Sequence, residues 1–374
     1  MSGDQSIMLA AGGTGGHLFP AFALAEELKR RGVAVDLMTD MRGDRYGAGF
    51  PARAIYQVPS ATLASRAPGD IAHTTITLAR GTKAAFAILK HVKPSAVIGF
   101  GGYPTLPPFF AACLRGIPTA VHEQNAVLGR ANKLLAKRVT AIATSFEKTK
   151  YLDGRLAEKA VLTGNPVRQA VIDAAARGYE APTADGVVRI LIFGGSQGAR
   201  FFAESVPLAL FALSDGVRQR LRVVQQAREE DVERVREAYV DAGISVEVAP
   251  FFTDLPARMA AAHLVIGRAG ASTVAELTVI GRPAILVPLP HAIDNDQLNN
   301  ARRLAESGGG WCIEQRNLSP ERLADELEKL LRVPDTLAAA AKAAKTAGRA
   351  DAVRRLADFV LALAAGRRPG AGRA

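Results

Sequence analysis

Three small-residue turns carry the side chains best placed to do chemistry. Gly-Gly-Thr-Gly-Gly-His occupies positions 12–17, Gly-Gly-Ser-Gln-Gly-Ala 194–199, and Arg-Ala-Gly-Ala-Ser-Thr-Val-Ala-Glu 268–276. Each follows an apolar run and opens a helical pattern, so its backbone N–H groups can meet an anion at the positive end of a helix with little side chain in the way. Ser196 adds a hydroxyl to the second turn. Glu276 falls near the end of the second helical turn after the third, where a carboxylate can accept both hydroxyls of a ribose. His17 comes directly after the first glycines. A helix N-terminus lowers an imidazole's pKa, which leaves it neutral and able to take a proton.

Two further stretches supply polar groups. His122-Glu123-Gln124-Asn125 follows an apolar run and places four hydrogen-bonding side chains at a strand's carboxyl end. Residues 288–300 hold His291, Asp294, Asn295, Asp296, Gln297, Asn299 and Asn300, amides and carboxylates of the kind that read sugar hydroxyls. Asp294 and Asp296 imitate an Asp-x-Asp metal pair, but no diphosphate geometry accompanies them, and the cysteines and histidines show no zinc spacing. No metal site is expected. The 194–198 turn also fits Gly-x-Ser-x-Gly, so a hydrolase elbow with Ser196 as nucleophile and His263 or His291 as base stands as an alternative.

The elements that must position these residues read as two α/β halves. A strand over 6–11, a glycine turn, a helix to 31 with Pro20 in its first turn, and a strand over 33–39 form a βαβ unit. Strands at 54–58, 96–100, 119–122 and 141–143 and helices at 73–91 and 129–136 continue the first half. The pattern restarts with a strand over 187–193, followed by strands at 222–226, 245–250, 264–266 and 284–287 and helices at 229–241, 255–262, 271–280 and 297–307. A last helix covers 350–365, and the Gly- and Arg-rich residues 366–374 read as a disordered basic tail.

The chain of 374 residues, 48% hydrophobic and 22% charged, is the size of two domains and has a globular composition. Cys113 and Cys312 allow at most one disulfide, and no signal peptide is expected at the start. Of the formal net charge of +11, residues 61–150 contribute +9, with twelve Lys or Arg against Asp70, Glu123 and Glu147. Such a segment attracts nucleic acid, anionic lipid or phosphorylated substrates. Residues 94–114 hold 21 positions without a formal charge, but Pro94, Pro104, Pro107 and Pro108 argue against a membrane-spanning helix. An apolar loop inside a basic region suits a protein resting on an anionic membrane.

With Gly-Phe-Gly-Gly-Tyr at 99–103, His-Glu-Gln-Asn at 122–125 and Gly-Asn-Pro-Val-Arg at 164–168, the three turns come in an order that resembles the MurG family, across about the first three hundred residues. These are the UDP-N-acetylglucosamine:N-acetylmuramyl-(pentapeptide) pyrophosphoryl-undecaprenol N-acetylglucosamine transferases. The resemblance implies a glycosyltransferase-B fold, two Rossmann-like doubly wound domains facing across a cleft. The first domain would cover 1–164, with helix 350–365 packing back on it, and the second 165–349.

The resemblance places the donor UDP-GlcNAc mostly on the second domain. Ser196 would lie at the diphosphate, Phe252 near the uracil, Ala271, Ser272 and Thr273 at the phosphates and Glu276 on the ribose. Asn125 and Gln297 would hold the sugar, Arg168 would belong to the donor site, and Thr14, Gly15 and Gly16 would approach from the first domain. Gln297 is the weakest assignment, because Asp294-Asn295-Asp296-Gln297 departs from the paired glutamines of some members. His17 is the first candidate base and Glu123 the second.

The implied acceptor is lipid I, whose 4-hydroxyl attacks the anomeric carbon with inversion, without cofactor or metal. The resemblance assigns the basic segment to an anionic membrane surface rather than nucleic acid, at the cytoplasmic face of the bacterial inner membrane, with cell-wall and division proteins as further partners.

Two rival classes remain open on the residues alone. An NAD-linked dehydrogenase would use Gly13, Gly15 and Asp36 as a dinucleotide fingerprint, although Leu18 stands where the last small residue belongs. A nonenzymatic nucleotide-sugar sensor would keep Ser196 and Glu276 without needing His17.

Overall fold

The computed structural model describes residues 6–12, 15–40, 49–62, 65, 67–290 and 292–369. The chain divides into two compact units, Met1–Arg168 with Ala350–Ala374, and Gln169–Arg349. The division falls after Arg168, so the Gly-Asn-Pro-Val-Arg stretch belongs to the first unit rather than opening the second.

In the first unit seven parallel strands lie in the order β3-β2-β1-β4-β5-β6-β7. They are β1 (Ser6–Ala10), β2 (Ala34–Thr39), β3 (Ala54–Gln57), β4 (Ala96–Gly99), β5 (Thr119–Glu123), β6 (Ala141–Thr144) and β7 (Ala160–Leu162). Alternate residues of β1 enter different cores: Ile7 and Leu9 pack with Leu24 and Leu28 on one face, Met8 and Ala10 with Val97 and Phe109 on the other. Burial on both faces is what makes these strands nearly continuous apolar runs.

Helix α1 (Gly15–Arg30) follows β1, α2 (Pro68–Val92) follows β3, α3 (Leu106–Leu114) follows β4 and α4 (Arg130–Ala136) follows β5. Pro20 is the sixth residue of α1 and not in its first turn, because the helix already starts at Gly15. Its missing N–H therefore leaves the Gly16 carbonyl without its helical donor. Helix α2 begins at Pro68, five residues before the expected start, since proline fits a first helical position.

The C-terminal helix Ala352–Ala364 packs against α1, burying Leu356, Phe359, Val360 and Leu363 in the same core. Arg31, just past the end of α1, bonds both Glu27 and Asp358, which ties the two helices at the surface. Of the segment read as a disordered tail, residues 366–369 are placed: Arg368 donates to the Glu158 carbonyl and Pro369 is buried. Residues 370–374 lie outside the described residues.

The second unit has six parallel strands in the order β10-β9-β8-β11-β12-β13. These are β8 (Val188–Phe193), β9 (Leu221–Gln226), β10 (Ser245–Ala249), β11 (Leu264–Gly267), β12 (Ala284–Leu286) and β13 (Gly310–Cys312). Helix α5 (Gly195–Phe211) follows β8, α6 (Ala271–Ile280) follows β11 and α7 (Asp296–Glu306) precedes β13. Strands β7 and β13 were not anticipated. Each is a three-residue strand at a sheet edge.

Gly81 of α2 has no room for a side chain: a Cβ there would stand 2.0 Å from the carbonyl oxygen of Pro59, in the chain before the helix, and 3.1 Å from Pro107 of α3. Gly81→Ala is expected to cost about 1–3 kcal/mol as overpacking against backbone. A urea-unfolding midpoint equal to wild type would contradict that packing.

Candidate active site

In an open parallel sheet the chain connections reverse direction at one point, and the strand ends beside it are left uncovered. That point lies between β1 and β4 in the first unit and between β8 and β11 in the second. All three small-residue turns sit at these two points.

In the first unit, His17 is the third residue of α1. Its ring lies against the turn that leaves β4, where Gly101 and Gly102 take φ of +88° and +75°. A Cβ on Gly101 would stand 3.4 Å from His17 Cε1, and one on Gly102 3.4 Å from His17 Cδ2. Glycine is required here for the backbone conformation, and the ring would lie in contact with a Cβ at either position. Burial pulls the His17 imidazole below its ordinary 6.5, against hydrogen bonds from the Gln124 side chain and the Phe100 backbone that favour the charged form. It is neutral at pH 7.

Strand alternation divides the His-Glu-Gln-Asn stretch into two jobs. His122 and Gln124 turn toward His17: Gln124 Oε1 is 3.4 Å from His17 Nδ1, and Gln124 Nε2 is 3.1 Å from His122 Nδ1. Glu123 turns the other way and is 1% exposed. One of its oxygens accepts from the Asn125 N–H at 3.0 Å, and the other accepts from the Gly129 N–H and Asn132 Nδ2 at 2.8 Å each. Burial pushes the Glu123 carboxyl up while these donors pull it back. Glu123, the second candidate base, is thus held inside the unit, where it braces the loop that presents Asn125 and the start of α4.

Arg168 belongs to this unit too, its guanidinium 5.3 Å over the ring of Phe19, two residues beyond His17. Gly15 and Gly16 open α1, where the first N–H groups of a helix have no partner within it. Thr14 lies outside the described residues.

In the second unit, α6 starts without a side-chain cap, and the Ser272 hydroxyl is buried with no hydrogen-bond partner among the described residues. The N–H groups of Ala271, Ser272 and Thr273 and that hydroxyl make a cradle suited to an anion. Glu276 is 8% exposed, on the next turn of α6. Gly195, at φ +65°, begins α5 after β8, while the side chain of Ser196 lies outside the described residues.

Phe252 follows β10 with the Arg258 guanidinium 4.3 Å over its ring, whereas neighbouring Phe251 is largely exposed. Gln297 uses its Oε1 on the N–H groups of Ala269 and Leu289, at 3.3 and 3.0 Å. That oxygen braces two loops, so the sugar-holding role expected of Gln297 is left to its amide nitrogen.

Sequence reasoning missed three bracing side chains. Gln124 was noted only as one of four polar residues. Gln226 accepts from the Gly195 N–H and donates to the Pro250 carbonyl, both at 3.1 Å, linking the β8 turn to the end of β10. Arg268 is buried beside Phe201 and Phe202 and donates to the carbonyls of Val287 and Pro288 and to Gln315 Oε1. Burial pulls it to about 10, still charged at pH 7.

The alternatives lose their residues. Asp36 lies inside β2 and forms a two-pronged pair with Arg53 at 3.1 and 2.6 Å, so it is not a ribose acceptor at a strand end. His263 accepts from the Arg189 N–H at the opening of β8, the far end of that strand from Ser196, which removes it as a base for a serine nucleophile. His291 lies outside the described residues. Among the described residues no group of three or more His, Cys, Asp or Glu is arranged to hold a metal ion.

Two doubly wound units, each with anion-ready helix starts at its switch point, are the architecture of the glycosyltransferase-B fold. The chain matches the glycosyltransferase family 28 N-terminal domain over residues 7–144 and the family 28 C-terminal domain over 189–356. It is 55% identical over 362 residues to a UDP-N-acetylglucosamine--N-acetylmuramyl-(pentapeptide) pyrophosphoryl-undecaprenol N-acetylglucosamine transferase of Chelativorans sp. (strain BNC1), covering 97% of this chain and 96% of the relative. A Mesorhizobium japonicum protein of the same name is 54% identical, covering 96% and 95%. The crystal structure of Acinetobacter baumannii MurG superposes with a TM-score of 0.79 at 31% identity, covering 96% of this chain and 99% of that one. A Neisseria meningitidis UDP-GlcNAc 2-epimerase, at 13% identity and TM-score 0.67, shares the fold alone. The chain belongs to glycosyltransferase family 28 and, within it, to the MurG family.

Burial holds His122 down to about 4, against 6.5 when exposed. The unfolded chain therefore takes up its proton first as pH falls. The stability this group carries is intact above pH 6.5 and is lost progressively toward pH 4, by about 3 kcal/mol. Urea midpoints from pH 7 to 4.5 should fall more steeply for wild type than for His122→Gln; parallel slopes would refute the assignment.

Proposed function

We propose that the protein transfers N-acetylglucosamine from UDP-GlcNAc to the 4-hydroxyl of the muramyl sugar of undecaprenyl-diphosphate-linked MurNAc-pentapeptide, converting lipid I to lipid II with inversion. The full-length relatives supply donor and acceptor. The chemistry is carried by one observation, the neutral imidazole of His17 at the switch point of the first unit.

In this reading His17 accepts the proton of the attacking hydroxyl as the new C–O bond forms, and the bond from the anomeric carbon to the UDP oxygen breaks with its electron pair leaving on the diphosphate. In the second unit the uncapped start of α6 with the Ser272 hydroxyl and the start of α5 suit that growing charge, Glu276 suits the ribose hydroxyls, Phe252 and exposed Phe251 the base, and the Gln297 amide nitrogen the sugar. In the first unit, taken by itself, the start of α1, Arg168 and Asn125 offer donors of the same kind. Fixed dipoles at the leaving group do the work a metal does elsewhere, so none is required.

A lipid-linked acceptor calls for a surface that meets the membrane. Among the described residues no helix is long and apolar enough to cross one. Helix α2 leaves Ile71, Ile76 and Phe86 exposed, Leu114 projects from the end of α3, and the Arg115 guanidinium lies 5.1 Å over Phe86. Exposed apolar side chains on a helix that also exposes Arg80, Lys83 and Lys90 suit insertion among anionic headgroups. The protein would then rest peripherally on the cytoplasmic face of the inner membrane, where cell-wall and division proteins would meet it.

UDP release from UDP-GlcNAc should require a short-chain lipid I analogue, persist in EDTA, and weaken as pH drops below 6.5 while His17 gains a proton. Release without acceptor would mean a hydrolase or an epimerase-like activity, and no release would leave a binding module. Sedimentation with vesicles should show binding that grows with anionic lipid and drops at least severalfold in a Phe86→Asp, Leu114→Asp variant; equal binding would move the membrane face elsewhere.

A further inference from the structure

The ring nitrogen of His17 that takes the proton is set by a chain of hydrogen bonds behind it. The chain starts at the Gly164 carbonyl, which can only accept. His122 Nε2, 3.0 Å away, must therefore carry a hydrogen. His122 is fully buried and neutral, so its Nδ1 holds a lone pair, and Gln124 Nε2 faces that lone pair at 3.1 Å. The same Nε2 lies 2.9 Å from the Phe100 carbonyl and 3.1 Å from the His122 carbonyl. Three acceptors around one end of the amide settle which end is nitrogen, since a carbonyl oxygen there would face them all without a hydrogen.

The amide oxygen is thereby turned to His17 Nδ1, at 3.4 Å. Facing an acceptor, Nδ1 must be the nitrogen that carries the hydrogen in the neutral ring. The Cδ2 and Nε2 edge lies over Gly102, where a Cβ would stand 3.4 and 3.5 Å from those atoms. We propose that Gln124, held by His122 and the Phe100 carbonyl, is a positioning residue that fixes His17 as its Nδ1–H tautomer and leaves Nε2 as the proton acceptor. The inference assigns the atom within the reading of His17 as base and rests on that reading for its catalytic meaning, though not for its geometry.

The tautomer is read directly in the wild-type protein. Long-range proton–nitrogen correlation of the ¹⁵N-histidine-labelled chain, with His17 assigned by loss of its signals in His17→Gln, should show a protonated Nδ1 and an unprotonated Nε2 at neutral pH. The opposite pattern would overturn the proposal. Gln124→Met keeps the length of the side chain and removes the acceptor. It should lower kcat by about tenfold to a hundredfold, the usual scale for losing a partner that orients a functional histidine, with the dissociation constant for UDP-GlcNAc unchanged. The His17 signals in that variant should shift toward a mixture of tautomers.

Unchanged kcat and an unchanged tautomer in a folded Gln124→Met would also defeat the assignment. A correct wild-type tautomer together with full turnover in His17→Ala would instead leave the positioning chain standing and remove His17 as the base.

Discussion

A helix that begins directly after a strand leaves its first N–H groups without partners inside the chain, and in a parallel sheet those groups gather where the connections reverse. The rest of the structure follows from that constraint. Side chains near the gap must be small or absent, because backbone has to approach both the ligand and its neighbours. A Cβ on Gly12 would press on Asp40 at 3.0 Å and Pro104 at 3.1 Å, and one on Gly267 would meet the Phe193 carbonyl at 3.0 Å. Some glycines thus serve close packing, and others, such as Gly101 and Gly102, supply the positive φ of the turn beside His17.

Exposed backbone donors need fixed positions to act on a ligand, and neutral amide side chains do most of the fixing. Gln124 behind His17, Gln226 between the β8 turn and the end of β10, and Gln297 between the loops after β11 and β12 each bond two segments at once. An amide carries donors and an acceptor without charge, so burying it costs far less than burying an ion. Where ions are used they are matched to several partners: Glu123 to N–H donors of its own loop, Arg268 to two carbonyls and the Gln315 oxygen, Arg282 to the carbonyls of Ala260, Ile280 and Gly281. Each would be expensive to leave with one partner removed.

The two sheets and their three turns were legible in the sequence because the signals are local: an apolar run, glycines, a helical pattern. Strands β7 and β13 were not, since three residues at a sheet edge form no pattern of their own and are recruited by the neighbouring strand. The site was legible as a set of residues and much less as a set of roles. Which members of His-Glu-Gln-Asn face His17 depends on how β5 is seated in the sheet, and the motif alone left Glu123 standing as the second candidate base after His17. Asp36 looked like a ribose ligand until pairing of β2 with β3 set Ala54 opposite it and brought Arg53 within reach. Gln315 lies 47 residues from Arg268, and nothing near either residue announces the contact.

On the proposed reading the two units would handle the reaction's charge by different means, and this bears on how each tolerates change. In the first unit the group proposed as base is a side chain whose usefulness depends on which nitrogen bears its hydrogen, so neutral substitutions behind it would silence it without touching substrate. In the second, the groups offered to a diphosphate are chiefly backbone N–H donors at helix starts, which no substitution removes short of proline or a displaced helix. There the side chains matter by holding helix ends in register, as Gln226 and Arg268 do. On the proposed reading, loss of a brace in the second unit would act through donor binding, and loss of one in the first on the proton transfer itself.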